Sequence, residues 1–267
     1  MRLYDATVAQ FKKDVAENTI ADLLRTRFEN YYRRFPGPSE YKSWQNSSNY
    51  LRNAFENSGL ENNRLIIEYE LPYSTRRLDV LVFGSDQGKT DSIVLIELKQ
   101  WSNEHVFDCD VEGNVLVDYG LYKRERAHPS LQVQGYHFDL TDFMTAFSDT
   151  APLALSSCAY CHNYSRNDAR LALFSPQFET AVKAYPIFTK EDAKLLGDFL
   201  KARVFFSNGE SARDRFIFSP IRPSKKLLEH TREMINRIRL AKYRVDGGAM
   251  GMRDVFSLVS LRPRLRA

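Results

Sequence analysis

The chain is expected to form an α/β protein in which a mixed central sheet is flanked by helices. Three features of its 267 residues point there. Short apolar runs at 64–71, 76–83, 92–99 and 153–161 have the length and composition of strands. Stretches at 38–58 and 129–147 carry apolar residues at helical spacing. Taken in order these give helix, three strands, helix, strand.

Each element has its own signal. Val8, Phe11, Val15, Ile20, Leu23, Leu24, Phe28 and Tyr31 predict one or two amphipathic helices over 5–34, so residues 1–36 read as an N-terminal helical segment packed on the core. Pro36-Gly37-Pro38 breaks that pattern and opens a core spanning 37–165. In helix 38–58, Trp44, Leu51 and Phe55 share one stripe. The strand 92–99 is apolar on both faces until Glu97, as a strand in the middle of a sheet should be. Turn formers fill Gly84 to Asp91 and join it to the strand before it as a hairpin. Between Lys99 and His128, the valines 106, 111, 115 and 117 around Gly113-Asn114 predict an additional hairpin at the border of the cleft. His128-Pro129-Ser130 opens the second helix, with Leu131, Phe138 and Leu140 among its apolar positions. Further on, a helix over 189–204 capped by Thr189, a short strand over 215–220 and a basic helix over 223–244 make 166–267 an α-rich extension layered on the core.

The chemistry gathers at strand ends. Residues two apart on a strand point the same way, so Glu97 and Lys99 share a face. Leu78, Val80 and Val82 are expected on one face of the preceding strand, leaving Asp79 on the other with Arg77 beside it. Ionisable groups at the end of an apolar strand bind something or pair with each other, because unpaired buried charge is costly. The hairpin sets Asp79 beside Glu97. Magnesium takes oxygen ligands, commonly one or two carboxylates with phosphate and water, and Asp79, Glu97 and the backbone carbonyl of Leu98 supply such a set for Mg²⁺ or Mn²⁺. Lys99 then orients a water or neutralises charge on a phosphorane, and one metal or two would fit. For so short a string, an ordinary Glu97–Lys99 ion pair is the plain alternative. Gln132 and Tyr136, four apart, share a face of the second helix.

With Asp79, Glu97, Lys99, Gln132 and Tyr136 in this order and spacing, the chain resembles the PD-(D/E)xK nuclease superfamily, in its RecB-type branch. The segments Ile67–Pro72, Arg77–Asp79, Ile96–Trp101, His128–Ser130, Ala159–Tyr164 and Pro223–Leu227 look like the N-terminal half of bacterial proteins whose C-terminal half is a Schlafen-group-like DNA/RNA helicase. The resemblance implies a restriction-endonuclease-like αβββαβ core and metal-dependent hydrolysis of phosphodiester bonds, in DNA before RNA. Phage defence and DNA repair are the contexts it implies. In that scheme Lys99 is the catalytic lysine, Gln132 and Tyr136 position the substrate strand, and a helicase or ATPase partner or a homodimer completes the assembly. Many superfamily members take one more carboxylate from the first core helix. Glu40, four residues before Trp44 on the same stripe, is the residue expected there; it equally suits a first-turn carboxylate favoured by the helix dipole, with Ser39 as cap. Leu78 stands where the superfamily name has Pro, a position that holds no ligand. No G-x-x-x-x-G-K-[ST] loop occurs, and the chain stops about where the motor is expected to begin. The ending, Gly247–Met252 and then Arg262–Arg266, does not resemble the family.

Composition excludes other classes. A net charge of +4 is mildly basic, and Lys123, Arg124 and Arg126 lie just before the second helix, where they could hold a phosphate backbone. No apolar stretch is long enough to span a membrane and Met1–Asp5 does not open a secretory signal, so a cytoplasmic protein without a membrane partner is expected. Three cysteines, an odd number, argue against a disulfide framework. Cys158-Ala159-Tyr160-Cys161-His162 spells a haem-attachment string but reads as a core strand; zinc and iron–sulfur sites lack ligands. No nucleophile elbow and no dinucleotide-binding glycine motif appears. Two other classes stay open: a docking or nucleic-acid-binding module of nuclease fold without its own catalysis, and a regulatory factor that uses the basic helix 223–244.

Overall fold

The structure is a computed structural model and describes residues 1–56 and 58–222; the expected basic helix 223–244 lies outside them. Its centre is a six-stranded mixed sheet. Strands β1 (Arg2–Thr7), β2 (Arg64–Glu70), β3 (Arg77–Ser85) and β4 (Asp91–Lys99) run antiparallel in sequence order, and β8 (Ala154–Cys161) and β9 (Ile187–Thr189) continue parallel to β4. Helices α1 (Val8–Ala16), α2 (Ile20–Tyr32), α3 (Pro38–Phe55) and α6 (Ala193–Val204) share a core with Leu65, Ile67, Val80, Val82, Val94 and Ile96. Helices α4 (Pro129–Phe143) and α7 (Glu210–Ile217) pack with Ile66, Leu81, Phe83, Ile93 and Leu95 on the other face. The middle strands are thus covered on both sides, which is why they read as nearly continuous apolar runs.

Several expectations are corrected. The N-terminal segment 1–36 is not wholly helical: β1 pairs with β2, burying Leu3 and Tyr4, and the Thr7 side chain then caps α1 by accepting the Gln10 N–H at 3.2 Å. Asp5, held by Arg64 and Arg213, ties this edge strand down. The segment expected as a strand at 215–220 is instead the last residues of α7, to Ile217, and the turn that follows. Phe216 is fully buried against Tyr69 and Phe83, whereas Phe218 is 77% exposed, a one-sided burial that fits a helix, and burying such a ring stabilises by roughly 1.5–3 kcal/mol. Helix α4 stops at Phe143 and gives way to a 3₁₀ turn over Thr145–Phe147; its inward stripe is Val133, Tyr136 and Leu140, while Phe138 is half exposed. Thr189 ends strand β9 and also caps the 3₁₀ turn Lys190–Asp192, bonding Asp192 through both its N–H (2.9 Å) and its hydroxyl (2.8 Å); α6 begins only at Ala193. The described part of 166–267 therefore adds a strand as well as helices, among them α5 (Glu179–Ala184).

The region between Lys99 and His128 forms a small separate sheet of β5 (Val106–Phe107), β6 (Asn114–Asp118) and β7 (Lys123–Ala127). Its tight turn lies at Tyr119–Tyr122, where Gly120 takes φ +84°, and not at Gly113-Asn114, which leads into β6. Val106, Val115 and Val117 pack with Val133 and Ile187, fixing the start of α4 against the ends of β8 and β9. At the far end of β3, Gly84 lies so close to the α6 terminus that a Cβ would run into the Val204 carbonyl.

Candidate active site at a broken row of the sheet

Strand pairing places three carboxylates in line. Ile67 faces Val80, and Val80 faces Ile96, so the next row outward brings Glu68, Asp79 and Glu97 abreast on three neighbouring strands. Regular pairing fails in that row. Between β2 and β3 it steps from Ile67–Val80 to Tyr69–Leu78, and between β3 and β4 it ends at Val80–Ile96. Glu68 takes φ +56°, a left-handed conformation uncommon outside glycine that bends a strand as a bulge does. Asp79 Oδ2 accepts the Leu98 N–H at 2.7 Å, a side chain replacing the missing ladder bond. The kink also switches faces: Val80 and Val82 belong to the core under α3, while Leu78 packs with Leu81 on the side of α4. The expected common face for Leu78, Val80 and Val82 is therefore corrected.

A cleft of 170 Å³ opens over this row, lined by Glu68, Asp79, Glu97, Leu98 and Lys99 from the sheet and by Trp44 and its neighbours from α3. Burial, together with Glu97 and Glu68, holds the Asp79 carboxyl well above the usual carboxylate range against the pull of Lys99 and the Leu98 N–H. Glu68 is raised as well, by burial first, although Arg77 (3.2 Å) and the Trp44 indole N–H (2.8 Å) both favour its charged form. Lys99 Nζ lies 2.6 Å from Glu97 Oε1; burial opposes its charge, but Glu97 and Asp79 outweigh it and keep the ammonium above the ordinary lysine value. Glu97 Oε1 also accepts from Gln132 at 2.7 Å, while Glu97 Oε2 is buried with no partner. The same Gln132 nitrogen donates to the Tyr136 hydroxyl at 3.1 Å, and burial pushes that phenol up to about 12.

All five of Asp79, Glu97, Lys99, Gln132 and Tyr136 thus converge, from β3, β4 and α4. Glu40 does not join them. It sits in the first turn of α3, where its carboxylate pairs with Arg77 and accepts the Gly37 N–H, and it does not line the cleft. The inner place belongs to Glu68, which strand alternation alone did not reveal; counting equal steps back from the turn closed by Leu71 and Arg76 sets it opposite Asp79.

Three carboxylates and one ammonium line the cleft, and Arg77 divides its charge between Glu68 and Glu40, so full ionisation leaves negative charge in excess. An all-oxygen donor set, a surplus of negative charge and an orphaned carboxylate oxygen fit a hard divalent cation. Among the described residues no three His, Cys, Asp or Glu side chains form a metal cage by themselves; a magnesium site needs only one or two carboxylates, the rest coming from backbone, water and substrate.

The remaining candidates are structural. His128 is buried, stacked on Phe178 at 3.9 Å and bonded to the Leu173 carbonyl, and burial pushes its pKa down to about 4. Cys158 and Cys161 are buried free thiols of β8. No helix among the described residues is long and apolar enough to cross a membrane. Compared with known proteins, the chain matches no family model, no curated protein and no solved structure.

Proposed function

We propose that the chain is a metal-dependent nuclease of the PD-(D/E)xK type that hydrolyses phosphodiester bonds of DNA, with RNA as the second substrate class. The reading rests on one observation: Glu68, Asp79 and Glu97 lie abreast in a row where sheet pairing fails, with Lys99 and the Gln132–Tyr136 pair bonded to the same cluster. Asp79, Glu97 and the Leu98 carbonyl, with Glu68 beside them, would hold Mg²⁺ or Mn²⁺. When bound, such a cation polarises a phosphate and lowers the pKa of a bound water.

The chain's own groups have definite parts in this scheme. Lys99 stays charged through neutral pH, which suits neutralising charge on a phosphate oxygen more than accepting a proton. Gln132 fixes the rotamer of Glu97. Because Tyr136 accepts from Gln132 and keeps its own proton, its hydroxyl is free to donate to a strand's phosphate. An ATP-driven helicase partner, a cytoplasmic setting and a role in phage defence or DNA repair belong to the same proposal.

The test is incubation of the purified chain with linear, circular and single-stranded DNA and with RNA, each with Mg²⁺, Mn²⁺ or chelator. Cleavage is expected with metal alone, falling roughly 100-fold or more in Asp79→Ala, Glu97→Ala and Lys99→Ala while nucleic acid still binds. Unchanged cleavage in all three rejects the proposal, and binding without turnover in the wild type leaves a docking module.

A further inference from the structure

Helix α3 serves two clefts. Ser43, Ser47 and Leu51 face the carboxylates, and one step around the same helix Asn46, Asn49, Tyr50 and Asn53 join Asn163, just past β8, around a second cleft of 380 Å³. Among the described residues four amides and one aromatic ring line it, and no charged side chain does. Each amide carries both donors and an acceptor. Asn46 and Asn53 spend no side-chain hydrogen bond on another described residue.

Tyr50 is fixed as well as exposed. One face of its ring lies on the His162 imidazole at 4.3 Å and 16°, and 37% of the residue remains accessible. His162 is itself buried and bonded at both nitrogens, to Ser47 Oγ at 3.0 Å and Asn163 Oδ1 at 3.1 Å. Burial pushes its pKa down to about 4, so the ring behind Tyr50 is neutral. The two clefts also share a wall. Asn163 donates to the carbonyl of Gln100 at 3.0 Å, and the Gln100 amide, one residue after Lys99, donates to Ser43 Oγ at 2.8 Å and Ser47 Oγ at 3.2 Å.

We propose that the second cleft is a subsite for an unpaired nucleobase of the strand whose phosphate meets the carboxylate row, which makes single-stranded nucleic acid the preferred substrate. The identity of the strand rests on the nuclease reading. Among the described residues the lining gives a phosphate or a carboxylate hydrogen-bond donors but no counter-charge. A flat ring backed by a rigid stack, with donors and acceptors around it, fits the face and the edge of a base that no longer stacks in a duplex.

Binding in chelator separates this from catalysis. With a short fluorescein-labelled single-stranded oligonucleotide, Tyr50→Ala is expected to weaken binding by roughly 5- to 150-fold, the span of base–aromatic stacking. Tyr50→Phe should keep the affinity, and duplex of the same sequence should bind equally to both proteins. Asn46→Ala with Asn53→Ala, both at exposed helix positions, should weaken the single strand selectively and decides the matter if Tyr50→Ala fails to fold. Unchanged single-strand binding, an equal loss on duplex, or displacement by a maltooligosaccharide overturns the subsite. Selective loss in Tyr50→Ala from a chain that cleaves nothing with Mn²⁺ upholds the subsite and rejects the nuclease; active cleavage with no effect of Tyr50→Ala does the reverse.

Discussion

Replacing Asp79 with asparagine keeps an acceptor for the Leu98 N–H and removes one negative charge from the carboxylate row. Residues facing each other on neighbouring strands stand about 5 Å apart, where two like charges at an effective dielectric near 20 repel by about 3 kcal/mol. Lys99 returns part of that, so Asp79→Asn should stabilise the metal-free protein near pH 8 by roughly 1–3 kcal/mol. Alanine at the same place also orphans the Leu98 N–H, which costs roughly 1–3 kcal/mol, so Asp79→Ala should fall below Asp79→Asn by that amount. The pH dependence comes from the raised carboxyls. A group whose pKa is higher in the folded than in the unfolded chain favours folding while protonated, a contribution complete below the ordinary carboxylate range and lost as pH rises through the raised value. The row's own contribution should therefore fall from mildly acid to neutral pH, opposite in sign to that of buried His128, His137 and His162, whose lowered pKa values favour the fold as pH rises; it is read in the difference between wild type and Asp79→Asn, whose advantage should shrink to nothing in acid. Urea unfolding midpoints in chelator across that range measure both. An Asp79→Asn variant less stable than wild type near pH 8, or an advantage that grows as pH falls, refutes the view of the row as a cluster of like charges awaiting a counter-ion.

Two further outcomes are expected. Adding Mn²⁺ at neutral pH should raise the melting temperature of the wild type, with about 2.7 kcal/mol gained at a hundred times the dissociation constant; Asp79→Ala should show no such rise in differential scanning calorimetry. Gly84→Ala, which sets a methyl against the Val204 carbonyl, should cost more than about 4 kcal/mol and leave little folded protein by circular dichroism, whereas Gly88→Ala, in an exposed turn beside the flexible end of Asp86, should fold normally.

Elements with strong local periodicity were legible in the sequence, and so were the residues whose spacing is local. Glu97 and Lys99 sit two apart on one strand, and Gln132 and Tyr136 four apart on one helix, so each pair could be placed without the fold. What escaped depended on pairing across the chain. Strand β1 has only Leu3 and Tyr4 as buried residues and exists because β2 lies beside it; β9 is three residues long and held by β8. Helix α7 ends in an apolar triplet, Phe216-Ile217 and the capping Phe218, that mimics a strand until tertiary packing buries only Phe216 fully. Glu40 gives way to Glu68 for the same reason: helical spacing turned Glu40 inward, but Arg77 occupies it, and only the register of β2 on β3 reveals Glu68.

The bend at Glu68 is also what makes the row usable. In an unbroken sheet the N–H and C=O groups of β3 would be consumed by both neighbours, and strand alternation would carry Asp79 to one face with no means of reaching the Leu98 amide. A left-handed residue costs roughly 1–3 kcal/mol and persists only where its surroundings over-determine it. Here Trp44 and Arg77 grip the Glu68 carboxylate from the helix side and the strand side. If that grip sustains the kink, Trp44→Phe, which keeps an aromatic ring and deletes the indole N–H, should loosen the Asp79–Leu98 bond and speed hydrogen exchange at the Leu98 amide, while exchange at Leu95, deeper in the same strand, stays slow. Equal acceleration at both amides would mean general loosening, and no acceleration at either would mean that the bend is held by the backbone alone.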